Sequence, residues 1–169
     1  METLPTGTPL TPDGWRQIHR AIFQDLYDRA GQYRTVNIAR GSAMFCLVPH
    51  IAGQMEQRFA AIHAENALRN PTREKFARRA AEHICELNAI HPFRQRNRRT
   101  PRAFLERLAA AAGHGVDLKL IDPELWNGAS VSSFQEATYD AMRQLILGAI
   151  VAPRRKRPSQ RPRGQGRRR

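Results

Sequence analysis

The 169-residue sequence has little cysteine and few acidic residues, and it lacks any long apolar run. Its two cysteines, Cys46 and Cys85, do not show the spacing of a metal site, so we interpret them as reduced thiols of a cytoplasmic protein. No stretch has the length and apolar character needed to cross a bilayer, and the N-terminus lacks the pattern of a signal peptide. These absences exclude a disulfide-stapled secreted domain and predict no membrane contact.

The excess of positive charge is concentrated at one end of the chain. The chain has 28 Lys and Arg against 15 Asp and Glu, a net charge of +13, but nine of the cations lie in residues 153–169 and leave only +4 on residues 1–152. That segment has three Pro, two Gly and no apolar side chain, so it cannot bury enough surface to fold alone. The sequence therefore predicts one domain over residues 1–152 and a disordered Arg-rich tail over residues 153–169. Non-specific nucleic-acid contact, a basic address signal and a solvated end without a partner all remain open for the tail.

What the first 152 residues do have is apolar periodicity. Apolar residues at helical spacing predict helices over residues 11–29, over residues 51–62, from the capping Thr72 to Ile90, and from about residue 97 to Gly113. A capping-box pattern, Ser133 with Glu136, predicts the start of a further helix. Residues 33–49 instead alternate apolar and polar positions around a Gly-Ser break, which is typical of a hairpin. The predicted fold class is all-α with one small β-hairpin.

The segment HPFRQRNRRTPR, residues 91–102, combines a histidine with several arginines, a set that suits proton transfer next to bound phosphate. His91 is expected at a helix end because Pro92 stops the helix, and the apolar Phe93 is expected to anchor the loop that follows. Arg99 and Arg102 are three residues apart, so they occupy neighbouring positions on one helical face, where two guanidinium groups suit a polyphosphate. The alternative is a helix-end histidine with satisfied hydrogen bonds beside solvated arginines.

This segment resembles the signature of the Fic (filamentation induced by cAMP) domain family, HPFx(D/E)GN(G/K)RxxR. Residues 18–41 are also similar to that family's helix and to the approach to its β-hairpin, called the flap. The resemblance implies a compact helical Fic-type domain with this hairpin, and an active-site motif that is degenerate. The matching positions are His91, Pro92, Phe93, Asn97, Arg99 and Arg102.

The resemblance implies a protein adenylyltransferase, an enzyme that moves AMP from ATP to a Ser, Thr or Tyr hydroxyl of a target protein. His91 matches the general base, and Asn97 matches a residue that contacts the α-phosphate. Arg99 and Arg102 match arginines that hold the outer phosphates, and Pro92 and Phe93 are the motif's anchors. The flap that positions the target would comprise Ser42, Ala43, Met44, Phe45 and Cys46.

Three positions depart from the signature. Gln95 stands where the family has the acidic residue that helps to hold Mg²⁺, and a neutral amide oxygen is a poorer ligand for that ion. Arg96 and Arg98 replace glycines that let the backbone approach phosphate, although their charge also attracts phosphate directly. An impaired or retuned adenylyltransferase is therefore the first interpretation. A phosphotransferase like the Doc branch, which carries Lys at the second glycine, and a non-catalytic nucleotide- or target-binding protein are the alternatives.

Regulation and location are inferred from the same resemblance. No inhibitory (S/T)xxxE(G/N) motif precedes Ile18, so regulation by a separate small antitoxin protein is one expectation and an unregulated, crippled site is the other. The Arg-rich tail is similar both to nucleic-acid-binding arms and to the C-termini of proteins exported by type IV secretion. The expectation is a cytoplasmic protein for which such export stays open.

Overall fold

The computed structural model describes residues 7–41, 43–95 and 97–152, and the predicted tail at residues 153–169 lies outside them. Among the described residues, none of the helices is both long and apolar enough to pass through a membrane. The helices are α1 (Pro12–Phe23), α2 (Ile51–Ala64), α3 (Arg73–Ile90), α4 (Arg99–Ala112), α5 (Pro123–Glu136) and α6 (Asp140–Ala149). The strands are β1 (Ala39–Arg40), β2 (Ala43–Met44), β3 (Gly115–Val116) and β4 (Ile150–Val151). The predicted class, helical with a small hairpin, is confirmed.

Helix α3 is the centre of the fold and packs against α2, α4, α5 and α6. It begins where predicted, because the Thr72 side chain accepts a hydrogen bond from the Lys75 N–H at 3.2 Å. Its small alanines let neighbouring helices approach, and its larger apolar residues fill the spaces between them. The buried apolar residues are Phe76, Ala77, Ala80, Ala81, Ile84, Cys85, Leu87 and Ile90.

Three aromatic rings join α1 and α2 to α4. Trp15 meets Phe104 edge-on at a centroid distance of 5.1 Å, and Phe59 meets Phe104 edge-on at 5.4 Å. All three side chains are at most 1% exposed. Edge-to-face rings of this size stabilise a core beyond the effect of their buried area, so the first helix is firmly attached to the helix that follows the HPF segment.

The hairpin is short, and a second small sheet was not predicted. In β1–β2 the residue pairs are Ala39 with Met44 and Arg40 with Ala43, and Gly41 begins the connection at φ +61°, a conformation that favours glycine. Strands β3 and β4 pair antiparallel although they are far apart in the sequence. Strands of two residues are too short to produce an alternating pattern, so this sheet could not be predicted from the sequence.

Two predicted boundaries are wrong. Helix α1 ends at Phe23 and not near residue 29, since the N–H groups of Leu26 and Tyr27 both donate to the Phe23 carbonyl and turn the chain. Leu26 is consequently 60% exposed. The pattern Ser133-x-x-Glu136 does not cap a helix: it lies inside α5, where the Ser133 hydroxyl donates to a carbonyl three residues earlier.

Candidate active site

His91 lies immediately after α3 and has the left-handed backbone conformation, with φ 51° and ψ 58°. This conformation ends the helix and turns the imidazole back towards it. The Nδ1 atom is 3.2 Å from the carbonyl oxygen of Asn88. A carbonyl only accepts, so Nδ1 carries the proton and Nε2 keeps a free lone pair. The geometry leaves His91 with one nitrogen able to accept a proton.

The surroundings of His91 keep its imidazole neutral. Burial lowers its pKa to about 4; the cationic Arg34 and Arg40 act in the same direction, while the Asn88 carbonyl opposes them. At neutral pH the ring is therefore unprotonated, as a general base must be before it acts.

Phe45 of the flap covers one face of His91. The two rings are stacked at a centroid distance of 4.1 Å and an interplanar angle of 19°. Phe45 also contacts Phe134 of α5, with centroids 4.9 Å apart. One flap residue thus links the histidine to the opposite wall of the site, at a position that the sequence predicted for the flap.

Arg34 connects the segment before the flap to the end of α3, a role that no sequence pattern predicted. Its side chain is 4% exposed. Its guanidinium donates to the carbonyls of His91 at 2.9 Å, Ile90 at 3.4 Å and Val36 at 2.9 Å, and also to the carbonyl of Cys46. These carbonyls include orphan acceptors of the helix end. Arg34 therefore fixes the backbone on both sides of the Phe45–His91 stack.

The loop after His91 is held by hydrogen bonds between its own residues and by contacts with α1. The Asn97 side chain accepts from the Phe93 N–H at 3.0 Å and donates to the Phe93 carbonyl at 2.7 Å. The buried Phe93 ring stacks on His19 of α1 at 3.7 Å, and His19 Nε2 lies 3.3 Å from the Gln95 carbonyl. The Gly31 N–H donates to His19 Nδ1 at 2.9 Å, so Nε2 carries the proton that the Gln95 carbonyl accepts.

We expect acid to destabilise this arrangement. Burial lowers the pKa of His19 from 6.5 to about 4, with the Gln95 carbonyl opposing, and burial also lowers the pKa of His83. The unfolded chain therefore binds more protons, and the free energy of unfolding should fall as the pH drops from 6.5 towards 4. His19 alone should contribute on the order of 3 kcal/mol. Denaturant unfolding measured across this window checks the slope; an NMR titration of His19 in the folded protein near pH 6.5 would contradict it.

A cavity of about 730 Å³ opens beside His91 and is rich in arginine. Its walls include Asn88, His91 and Asn97. Four guanidinium-bearing residues also line it, from the flap strand, the loop and the start of α4: Arg40, Arg94, Arg98 and Arg99. Because Arg98, at the N-cap of α4, makes no side-chain cap, the first N–H groups of the helix add to this positive end. The cavity suits an anion.

The far wall of the cavity comes from α5, which the sequence reasoning missed. Its side chains are mostly small or polar, and Asn127 accepts a hydrogen bond from Arg98 at 3.4 Å. The sequence signal was weak because the polar residues of α5 break up any apolar stripe. The lining residues of this helix are Asn127, Ser130, Val131, Phe134 and Gln135.

Two predicted site residues lie elsewhere, and others are not described. Arg102 donates to the carbonyls of Leu118 at 2.9 Å and Ile121 at 3.2 Å and does not line the cavity, so its contact with outer phosphates stays a prediction. Gln95 lines a second cavity, of about 350 Å³, behind the loop. Residues 42 and 96 and the side chain of residue 43 lie outside the part of the chain that the structure describes.

The residues present do not fit a Mg²⁺ site. Mg²⁺ in nucleotide sites is bound through one or two carboxylates together with phosphate oxygens. Among the described residues that line the large cavity, none is Asp or Glu. The described part of the chain also brings no three His, Cys, Asp or Glu side chains together as metal ligands.

The sequence matches proteins of known family. The sequence model of the Fic/DOC family matches residues 9–109. The chain is 37% identical over 134 residues to "probable protein adenylyltransferase y4lH" of Sinorhizobium fredii, covering 79% of the chain and 69% of that protein. It is also 37% identical over 117 residues to "probable protein adenylyltransferase Fic" of Escherichia coli K12, covering 69% of the chain but 58% of that protein. The matched region therefore leaves about a third or more of each relative uncovered.

A solved structure has a similar fold. It is the N-terminal Fic domain, with bound ADP, of a cell filamentation protein from Bartonella quintana, a VirB-translocated Bep effector. The TM-score is 0.79 at 26% identity, covering 90% of this chain and 78% of that one.

Proposed function

Because the chain belongs to the Fic/DOC family, we propose that it is a protein adenylyltransferase that moves AMP from ATP to a hydroxyl side chain of a target protein. The observation that carries the proposal is the neutral His91, whose Nδ1 holds the proton and whose Nε2 accepts no hydrogen bond from the described residues beside an arginine-lined cavity. The names of the curated relatives and the ADP bound to the similar Bartonella domain support a nucleotide as the ligand of that cavity.

The proposed reaction is a single displacement at phosphorus. The target's hydroxyl oxygen attacks the α-phosphorus of ATP, a new P–O bond forms, and the bond to the β-phosphate oxygen breaks to release pyrophosphate. His91 Nε2 accepts the hydroxyl proton, while Arg99, which matches an arginine of the family's signature, stabilises the charge on the phosphates. No step is assigned to Mg²⁺, for which the described cavity has no carboxylate.

The proposed target segment lies along the flap, where it would add a strand by main-chain pairing. Strands β1 and β2 form a sheet of only two strands, and Met44 at its end is 55% exposed. Phe45 stacks on one face of the His91 ring, whereas the Nε2 lone pair lies in the ring plane, so the stack does not by itself block a hydroxyl. The predicted flap, residues 42 to 46, would thus combine target pairing with a direct contact to the base.

One observation favours a second candidate function. A cavity whose described lining has four arginines and no carboxylate suits binding more clearly than it suits metal-assisted catalysis. A non-catalytic nucleotide- or target-binding protein is therefore the alternative. A Doc-like phosphotransferase, suggested by the basic Arg98 alone, is a weaker one.

Incubation of the full chain with ATP and cell lysate, followed by mass spectrometry of the proteins, separates the three. We expect an AMP adduct on a Ser, Thr or Tyr of a target protein. A phosphate adduct instead would support the Doc-like reaction. Binding of ATP without either adduct, with and without added Mg²⁺, would support the non-catalytic alternative and contradict the proposal.

The remaining partners stay proposals. The Arg-rich residues 153–169, nine of them cationic, are proposed to contact nucleic acid, and the division into residues 1–152 and this tail stays a prediction. A small antitoxin protein stays a candidate regulator. Export by type IV secretion is proposed on the tail's composition and on the similarity to a VirB-translocated effector domain.

A further inference from the structure

The arginines around the large cavity come from three parts of the fold. Arg40 comes from the flap, Arg94 and Arg98 from the loop, and Arg99 from the start of α4. Among the described residues, the ion pairs of the protein involve other cations, and none of these four is paired with a carboxylate. The Arg99 guanidinium also lies over the Phe23 ring of α1, 5.6 Å from its centroid, so an aromatic face and not a carboxylate is its partner. Cations around one cavity repel each other unless an anion lies between them.

Positive charge near the cavity also acts on the candidate base, His91. Arg40, together with the buried Arg34, lowers the pKa of His91 further after burial has lowered it. These two cations repel a proton on the imidazole, while the Asn88 carbonyl and the negative pole of the helix dipole act in the opposite direction. A polyanion in the cavity would remove this repulsion.

A divalent cation would add to the repulsion. Mg²⁺ needs several oxygen ligands at short distances, and a carboxylate usually supplies part of its charge balance. The described lining offers neutral oxygens only, and Gln95 lies against the cavity behind the loop. Arg98 reaches across to Asn127 of α5, which holds a guanidinium at the mouth of the site.

We propose that this cavity binds the polyphosphate of ADP or ATP as the metal-free anion, with the guanidinium groups of Arg40, Arg94, Arg98 and Arg99 in the charge-neutralising role of a divalent cation. The proposal rests on the nucleotide site of the proposed function. It differs in predicting that Mg²⁺ does not help binding. A nucleotide that already carries Mg²⁺ presents less negative charge to the arginines and brings an ion that finds no carboxylate there.

Calorimetric titration of the full chain with ADP and with ATP, in EDTA and in excess Mg²⁺ at equal ionic strength, tests this. We expect binding in EDTA that is as tight as, or tighter than, binding in Mg²⁺. Binding that requires Mg²⁺ would overturn the metal-free site and leave the proposed function standing. No binding in either condition would overturn both.

Single-arginine variants test whether metal-free binding depends on the cavity. Arg98→Gln and Arg40→Gln should each weaken ADP binding in EDTA by roughly tenfold, as expected for the loss of one charge-assisted contact. Arg78→Gln is the matched control, because Arg78 is an exposed arginine of α3 that does not line the cavity. An equal loss in all three variants would point to a general charge effect and contradict the proposal.

Discussion

Replacement of His91 by alanine should abolish detectable AMP transfer while ADP still binds. The imidazole supplies the only proposed proton acceptor, and loss of a positioned base costs roughly a hundred- to ten-thousandfold in rate. Nucleotide binding should persist because the phosphates are proposed to contact arginines and not the imidazole. Transfer to the target is measured by mass spectrometry or with labelled ATP, and ADP binding by calorimetry on the same samples.

Two further variants make this result specific. His91 has φ 51°, a conformation that asparagine tolerates better than most residues, so His91→Asn removes the base with less backbone strain. His63→Ala changes an exposed histidine of α2 outside the cavity and should transfer AMP normally. Transfer at the original rate in both His91 variants would contradict the assignment of the base.

Restoration of the family's residues at the three departing positions should raise AMP transfer. In the variant Gln95→Glu, Arg96→Gly and Arg98→Gly, the glycines let the backbone approach the phosphates and let the loop turn the new carboxylate from the cavity behind it towards Mg²⁺. A misplacement of about 1 Å can cost on the order of a hundredfold, so an increase of about that size is expected. The three changes are made together because residues of one loop do not act additively.

The same variant should lose the metal-free binding proposed above, so transfer and binding are expected to move in opposite directions. A matched control, Gln57→Glu with Arg20→Gln and Arg78→Gln, makes the same change in net charge at exposed helical positions. Transfer by both proteins is compared at equal ATP and Mg²⁺. Equal or lower transfer by the restored protein would show that the arginines are a working adaptation and not a defect.

Local patterns predicted those parts of the fold that depend on neighbours in the sequence. Helix α3 was predicted from Thr72 to Ile90 because its cap and its apolar spacing are both local, and the structure has it from Arg73 to Ile90. Helix α5 was missed because its buried face carries few large apolar residues. The capping-box pattern then suggested a helix start in the middle of that helix, whereas the Ser133 hydroxyl donates to a carbonyl of the same helix.

In the candidate site, too, the features that depend on neighbours in the sequence were predicted and those that depend on distant residues were not. The motif predicted that His91 ends a helix, a local consequence of Pro92, and that Phe93 is buried, which follows from its apolar ring. Arg102 was expected beside Arg99, but side chains three apart differ by about 60° around a helix, and the carbonyls of Leu118 and Ile121 attract Arg102 to the other side. No local pattern identifies such distant acceptors.

Arg34 has a consequence for how target recognition and chemistry communicate. Its guanidinium holds the carbonyl of Cys46 in the flap and those of Ile90 and His91 at the helix end, so neither segment can shift without altering the other's hydrogen bonds. Coupling free energies between two sites are reciprocal. If docking of a target peptide changes the pKa of His91, then protonation of His91 must change the affinity for that peptide by the same factor. In the proposed function, substrate selection and proton acceptance therefore belong to one thermodynamic cycle, in which the buried Arg34 and the Phe45–His91 stack are the two links between flap and base.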